Sequence, residues 1–326
     1  MFDIITIGSA TRDVFLQSEK IKIKKSKTSP TGLDECLPLG AKIELNDITF
    51  DTGGGATNAA VTFANLGLRT ATICRTGKDL AGLQINQMFK NHHISNKFIQ
   101  HDNKLGTAYS LILLAGTGQR SILVYRGASQ KVSAKDIPWK NIKTKWLYIS
   151  SLAGHMTLIN SIWKFAKKNK IKIAWNPGGK ELDKGLTKLA PYIKQTAFFT
   201  INTEEAAKLT KEKPGDTRAA AKKLKKITKC LSLTDGPKGA YAWQNNKGIW
   251  APSLKVKRVN TTGAGDAFGS GFVSGLILKN DIKYAMKMGT LNANMVITKM
   301  GAKNGLLKKK PTLKELNRVK LKSINF

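Results

Sequence analysis

Short runs of β-branched and aromatic residues alternate along most of the chain with stretches in which apolar side chains recur every three or four positions. The runs at 3–8, 70–75, 146–150, 171–175, 197–201 and 230–234 predict strands, and the stretches at 59–66, 158–167, 204–209 and 219–227 predict amphipathic helices. Alternating strands and helices bury their apolar sides as a mostly parallel sheet with helices on both faces, so the pattern predicts a doubly wound α/β fold. Two regions break the alternation. Residues 15–50 mix β-branched and polar positions with turns at Pro30-Thr31-Gly32 and Pro38-Leu39-Gly40, and residues 107–125 predict a hairpin about Gly116-Thr117-Gly118. Neither suits a crossover unit; both suit a small β-sheet beside the main one.

Length and composition set bounds on this picture. The 326 residues are 41% hydrophobic, enough for a sizeable core, and no repeat or low-complexity linker divides them. The formal net charge of +34 raises the question of a nucleic-acid partner. The lysines are spread over the whole length with little aromatic interleaving, so clusters such as Lys222-Lys223-Leu224-Lys225-Lys226 read as solvated helix faces and no specific nucleic acid is expected. No apolar run approaches the roughly 18 residues of a membrane span, and the segment 2–8 is too short and too early for a signal peptide; a soluble cytoplasmic protein with no membrane partner is expected. Cys36, Cys74 and Cys230 are widely spaced with no C-x-x-C pair, which argues against structural zinc and fits a reduced compartment.

The chemistry concentrates in a few small-residue turns. Asn260-Thr261-Thr262-Gly263-Ala264-Gly265-Asp266 leads into an apolar helical run. Glycines 263 and 265 allow a tight turn whose N–H groups converge, and the positive end of the helix adds to them, so the segment predicts an anion site. Asp266 suits a general base beside that anion, although an acid in a first helical turn is also favoured by the helix dipole alone. Asp13 follows the first predicted strand, at the sheet edge where α/β proteins bind ligands, and can accept two hydrogen bonds from neighbouring hydroxyls; capping a turn would use it equally. Gly53-Gly54-Gly55-Ala56-Thr57-Asn58 opens the helix that begins near residue 59, with Asn58 offering a donor and an acceptor. Asn202-Thr203-Glu204-Glu205 has the spacing of a capping box, and Thr234-Asp235-Gly236-Pro237-Lys238-Gly239 is a turn after a strand.

Gly263-Ala264-Gly265-Asp266 with Ala267-Phe268, and the string from Gly53 through Gly67 to Gly82, resemble the two signatures of the PfkB-type carbohydrate kinases, the ribokinase-like family. Five motifs occur in the family's order between Gly8 and Gly301. The resemblance implies one ribokinase-like domain over 1–326, with a β-sheet lid from segments 15–50 and 105–127. It implies an ATP-dependent kinase that phosphorylates a primary hydroxyl of a small sugar, ribose-like first. Asp266 would be the base, Gly263, Ala264 and Gly265 the anion hole, and Asp13, Gly54, Gly55 and Asn58 the holders of the sugar. Asn202, Thr234, Gly236, Gly239, Asn292 and Asn294 would bind ATP, and Glu205 would hold magnesium through water. The sequence leaves open whether the lid strands pair between subunits to form a homodimer. Asn260 stands where the family commonly has Asp; its amide keeps a carbonyl but not the charge, which weakens the expectation of activation by potassium. Alternatives are a nucleoside kinase, a kinase of an acidic or phosphorylated sugar recognised by Arg12, and a noncatalytic nucleic-acid binder on the same fold.

Overall fold

All six runs predicted as strands enter one sheet. The structure, a computed structural model, describes residues 1–29, 32–114, 120–245 and 247–326. Its main sheet has nine strands in the order Lys322–Ile324, Lys247–Ala251, Ala240–Gln244, Cys230–Thr234, Phe198–Asn202, Lys172–Trp175, Thr144–Ile149, Phe2–Ile7 and Thr70–Ile73. The six from Cys230–Thr234 to Thr70–Ile73 are parallel, and the last three pairings at the other edge are antiparallel.

Successive side chains of a strand point to opposite faces, and here both faces are apolar. Ile5, Ile7, Leu147 and Ile149 enter one core with Trp163 and Trp175, whereas Ile4, Trp146 and Tyr148 enter another with Phe63, Phe198 and Phe272. Helices cover each face: Met156–Lys168 lies on the first, and Gly55–Asn65, Ala264–Lys279 and Ile282–Val296 close the second. The strand order reverses between Phe2–Ile7 and Thr144–Ile149, which makes the loops after Ile7 and Ile149 the natural ligand crevice.

A second sheet of four strands runs Arg120–Tyr125, Ala108–Leu114, Thr11–Gln17 and Asp47–Gly53. It starts at Thr11, ahead of the predicted 15, because the chain leaving the first main strand turns at once into this sheet and leads Asp13 into it. The turn expected at Gly116-Thr117-Gly118 lies outside the described residues, as do Pro30 and Thr31 of the earlier turn. Ile48, Phe50, Ile122 and Leu123 of this sheet remain exposed. Among the described residues no helix is long and apolar enough to cross a membrane.

Candidate active site

The helix Ala264–Lys279 begins at Gly263, whose φ of 79° lies in the left-handed region. A side chain at Gly263 would also meet the Ala302 Cβ at 2.7 Å, so both conformation and space demand glycine. The Ala267 amide closes the first helical bond to the Gly263 carbonyl at 2.8 Å. A helix start leaves the preceding N–H groups, including those of Gly265 and Asp266, without acceptors inside the helix. Gly265 faces open space: a Cβ there would find nothing within 4 Å. From Ala267 to Leu276 every residue is buried, which fixes the axis that carries Asp266.

Asp266 faces a second turn. Gly53 passes so close to Asp13 that a Cβ would lie 2.0 Å from its carboxylate, and the chain then enters the helix Gly55–Asn65 with Asn58 in its first turns. Asn58 Nδ2 donates to Asp266 Oδ2 at 2.8 Å. Thr11 Oγ1 donates to Asp13 Oδ1 at 2.9 Å. Burial pushes the Asp266 carboxyl above its ordinary range; the bond from Asn58 and the charge of Lys303 oppose this, and Asp13 reinforces it. Burial likewise raises Asp13, against Lys303 and the hydroxyls of Thr11 and Ser110.

On the other side of the 263–266 turn, Asn202 Oδ1 accepts from the Glu205 amide at 2.7 Å and Glu205 Oε2 accepts from the Asn202 amide at 2.9 Å. This capping box starts the helix Thr203–Thr210 at the sheet edge and leaves Glu205 Oε1 available. Burial raises the Glu205 carboxyl. Asn176, just after the strand Lys172–Trp175, donates to the Thr200 carbonyl at 2.9 Å and lines the same space as Asn202, Glu205 and Asp235. These are hard oxygen donors around one void, a set that fits magnesium held partly through water and phosphate oxygens.

Three cavities adjoin one another through shared lining residues. A cavity of about 290 Å³ is lined by Asp13, Gly54, Gly55, Asn58, Gly263 and Asp266. A second, of about 520 Å³, shares Gly263 and Asp266 and continues over Gly265 to Glu205, Thr234 and Gly236. The third, about 170 Å³ and mostly apolar, runs from Gly236 and Gly239 past Phe268 and Ile297 to Asn294. The predicted residues thus come together with one exception. Asn292 is fully buried behind the helix: its Nδ2 donates to the Ala267 carbonyl at 2.8 Å and to Thr62 Oγ1, and its Oδ1 accepts from the Leu307 amide at 2.9 Å. It braces the helix that carries Asp266, and lines none of the three cavities. Asn294 does reach the apolar cavity, with its own oxygen held by Ser253 and Leu254.

Four residues escaped the sequence reading. Asn176 could have been found in Asn176-Pro177-Gly178-Gly179, a turn directly after a strand. Arg126 lines the first cavity, whereas Arg12 lies over the Phe50 ring at 5.1 Å instead. Arg120 Nη1 donates to Thr261 Oγ1 and ties the small sheet to the 260–266 turn. Lys303 is buried and donates to Asn58; nothing distinguishes it in sequence from the many surface lysines.

The pfkB family carbohydrate kinase model matches residues 1–309. Ribokinase of Lactococcus lactis is 29% identical over 285 residues, which cover 86% of this chain and 89% of that one. Among solved structures, Arabidopsis thaliana ribokinase complexed with ribose and ATP superposes with a TM-score of 0.78 at 19% identity, covering 97% of this chain and 98% of that one. The Methanocaldococcus jannaschii nucleoside kinase, an archaeal member of the ribokinase family, gives a TM-score of 0.75 at 20% identity over 98% of each chain. Fold, ordered motifs and family match agree, and the chain belongs to the pfkB family of carbohydrate kinases and is a phosphotransferase.

Proposed function

We propose that the protein transfers the terminal phosphoryl group of ATP to a primary hydroxyl of a small, ribose-like sugar. The observation that carries this reading is the wall common to the first two cavities: Gly263 and Asp266 line both. A hydroxyl held by Asp13 and Asn58 and a phosphoryl group over Gly265 would meet at that wall. Asp266 takes the hydroxyl proton as the oxygen bonds to phosphorus and the bond to ADP breaks. The N–H groups of the 263–266 turn receive the charge of the transferred group, and the apolar third cavity suits adenine. Glu205 and Asn202 would hold magnesium, which supplies charge neutralisation along the phosphates when bound.

The four-stranded sheet serves in this reading as a lid within one domain, with Arg120 reporting its closure to the phosphate side through Thr261. The exposed Ile48, Phe50, Ile122 and Leu123 support its pairing with a second copy of the chain. A second reading, an acceptor bearing an acidic group, is favoured by Arg126 on the wall of the first cavity. ATP consumption measured with ribose, adenosine, fructose, fructose 6-phosphate and 2-keto-3-deoxygluconate tests both. Turnover best with ribose supports the first reading, preference for an acidic acceptor the second, and no acceptor-dependent turnover sinks both.

A further inference from the structure

Lys303 is enclosed beneath the acceptor cavity with 7% of its surface exposed. An ammonium survives burial only where hydrogen-bond acceptors and opposite charge replace water. Its Nζ donates to Asn58 Oδ1 at 2.7 Å and to the Thr52 carbonyl. Burial lowers the proton affinity of Lys303, and the charges that oppose this come from three elements: Asp51 in the strand Asp47–Gly53, Asp13 in Thr11–Gln17 and Asp266 in Ala264–Lys279. His92, at the end of the helix Leu80–Asn91, also feels the ammonium. Among the described residues no carboxylate forms an ion pair with Lys303; its direct bonds are to amide oxygens.

The chemistry of the two neighbours of Asn58 settles its orientation. An ammonium has only donors, so the Asn58 atom facing Lys303 is oxygen; an ionised carboxylate has only acceptors, so the atom facing Asp266 is nitrogen. The carboxamide is therefore locked from both ends.

We infer that Lys303 is a positioning residue for phosphoryl transfer: its buried ammonium orients the Asn58 amide, and that amide holds the Asp266 carboxylate where the two cavities meet. The inference rests on the reading of Asp266 as the base. It assigns Lys303 a role in the reaction although Lys303 lines neither cavity. Two effects follow, one of geometry and one of charge. Without Lys303 the Asn58 oxygen loses its donor, and the amide is held from the Asp266 end alone, so its position and that of the carboxylate are less tightly fixed. Without its charge, Asp266 and Asp13 hold their protons more tightly, since the ammonium opposes the effect of burial on both. Tyr148, whose hydroxyl burial and the charge of Asp266 keep protonated, does not replace that charge.

The test compares Lys303→Met, Lys303→Gln and Asp266→Asn with the wild type, after thermal denaturation has established which are folded. Lys303→Met removes donor and charge. Its kcat should fall about 10- to 100-fold, as for a misplaced reacting group, with KM for ATP little changed. Lys303→Gln keeps a donor for Asn58 and should recover most of kcat at high pH, while the acid limb of its kcat/KM profile stays displaced to higher pH. Titration of the Asp266 carboxyl carbon by NMR, which needs no turnover, should show a proton affinity about tenfold higher in both Lys303 variants. In the wild type, the Lys303 ammonium protons should exchange slowly enough to give a resonance with contacts to the Asn58 amide. Absence of that resonance overturns the inference even if neither variant folds. So do wild-type kinetics and an unmoved Asp266 titration in a folded Lys303→Met protein. If Asp266→Asn matches the wild type, it is the kinase reading that fails; if Asp266→Asn is inactive and both Lys303 variants match the wild type, the positioning role alone fails.

Discussion

Asn58 Nδ2 donates to Asp266 Oδ2 at 2.8 Å, joining helix starts that lie 208 residues apart in the chain. The bond connects the glycine turn that borders Asp13 with the turn that lines both the first and the second cavity. It also favours the charged form of a carboxylate that burial drives toward the neutral form. Burial and this bond thus act in opposite directions on Asp266, and a carboxylate of raised proton affinity suits the proposed role of accepting a proton from an attacking hydroxyl.

Asp266→Asn should therefore lower kcat by about 10²- to 10⁴-fold, the usual contribution of a general base. The amide oxygen of the new residue can still accept from Asn58, so the fold should persist. Stability at neutral pH should rise. A carboxyl whose folded pKa is raised contributes stability in its protonated form, which is lost as pH rises through that folded pKa. The melting temperature of Asp266→Asn should exceed that of the wild type at pH 7, and the gap should close on acidification below the ordinary carboxylate range. A melting temperature below that of the wild type at pH 7 contradicts this account.

The acid limb of the wild-type kcat/KM profile should lie above the ordinary Asp value of 3.8, because the proposed proton acceptor, Asp266, is a raised carboxyl. Activity should increase with pH through that limb. The profile should be measured with saturating magnesium, so that Glu205, which burial also raises, does not contribute through metal affinity. A limb at or below the ordinary value would point to a different base.

Much of this site was legible because its residues sit in turns whose types are demanded locally. Gly53, Gly263 and Asp266 occur in short strings that follow or precede an apolar run, and the capping box of Asn202 and Glu205 is written in four consecutive positions. The parallel strands were legible for the same reason, since strands buried on both faces are nearly continuous apolar runs. Lys303, Arg120 and Arg126 were not legible. Each acts through a partner more than 100 positions away or through a shared cavity, and a lysine among 55 basic residues carries no local mark of burial. Asn292 misled for the converse reason: its neighbour Asn294, two positions on, faces the apolar cavity, and helical geometry turns the intervening 200° toward the opposite side.

The two glycines of the 263–266 turn should respond differently to alanine. Gly263→Ala places a side chain in a left-handed conformation and 2.7 Å from Ala302 Cβ, so unfolding in urea should show a loss of about 1–3 kcal/mol. Gly265→Ala meets no protein atom within 4 Å and should leave stability within about 0.5 kcal/mol of the wild type. Its methyl group would project into the space proposed for the transferred phosphoryl group, so kcat should fall with the fold intact. Equal destabilisation by both substitutions would show that the turn is constrained in another way.

Asn260 Oδ1 accepts from the Thr262 amide at 2.8 Å, and Asn260 is buried. The oxygen is engaged in shaping the turn, and its residue brings no negative charge to attract a monovalent cation. Turnover in potassium chloride should match turnover in sodium chloride at equal ionic strength to within about twofold. A large activation confined to potassium would show that backbone carbonyls suffice for a cation site.

Glu205 caps a helix and is proposed to hold magnesium, two tasks that substitution can separate. Its Oε2 caps the helix Thr203–Thr210, and a glutamine oxygen can accept the same bond from the Asn202 amide. Glu205→Gln should therefore keep the cap, with a melting temperature at pH 7 no lower than that of the wild type because burial raises this carboxyl too, while losing the charge proposed to draw magnesium. The magnesium concentration for half-maximal activity should increase, with partial recovery of kcat at high magnesium. Glu205→Ala removes the cap as well and should add a stability loss of about 0.5–2 kcal/mol. If Glu205→Gln leaves the magnesium titration unchanged, Glu205 is only a capping residue, and the metal must be held by Asn202, Asp235 and the phosphates along the same wall.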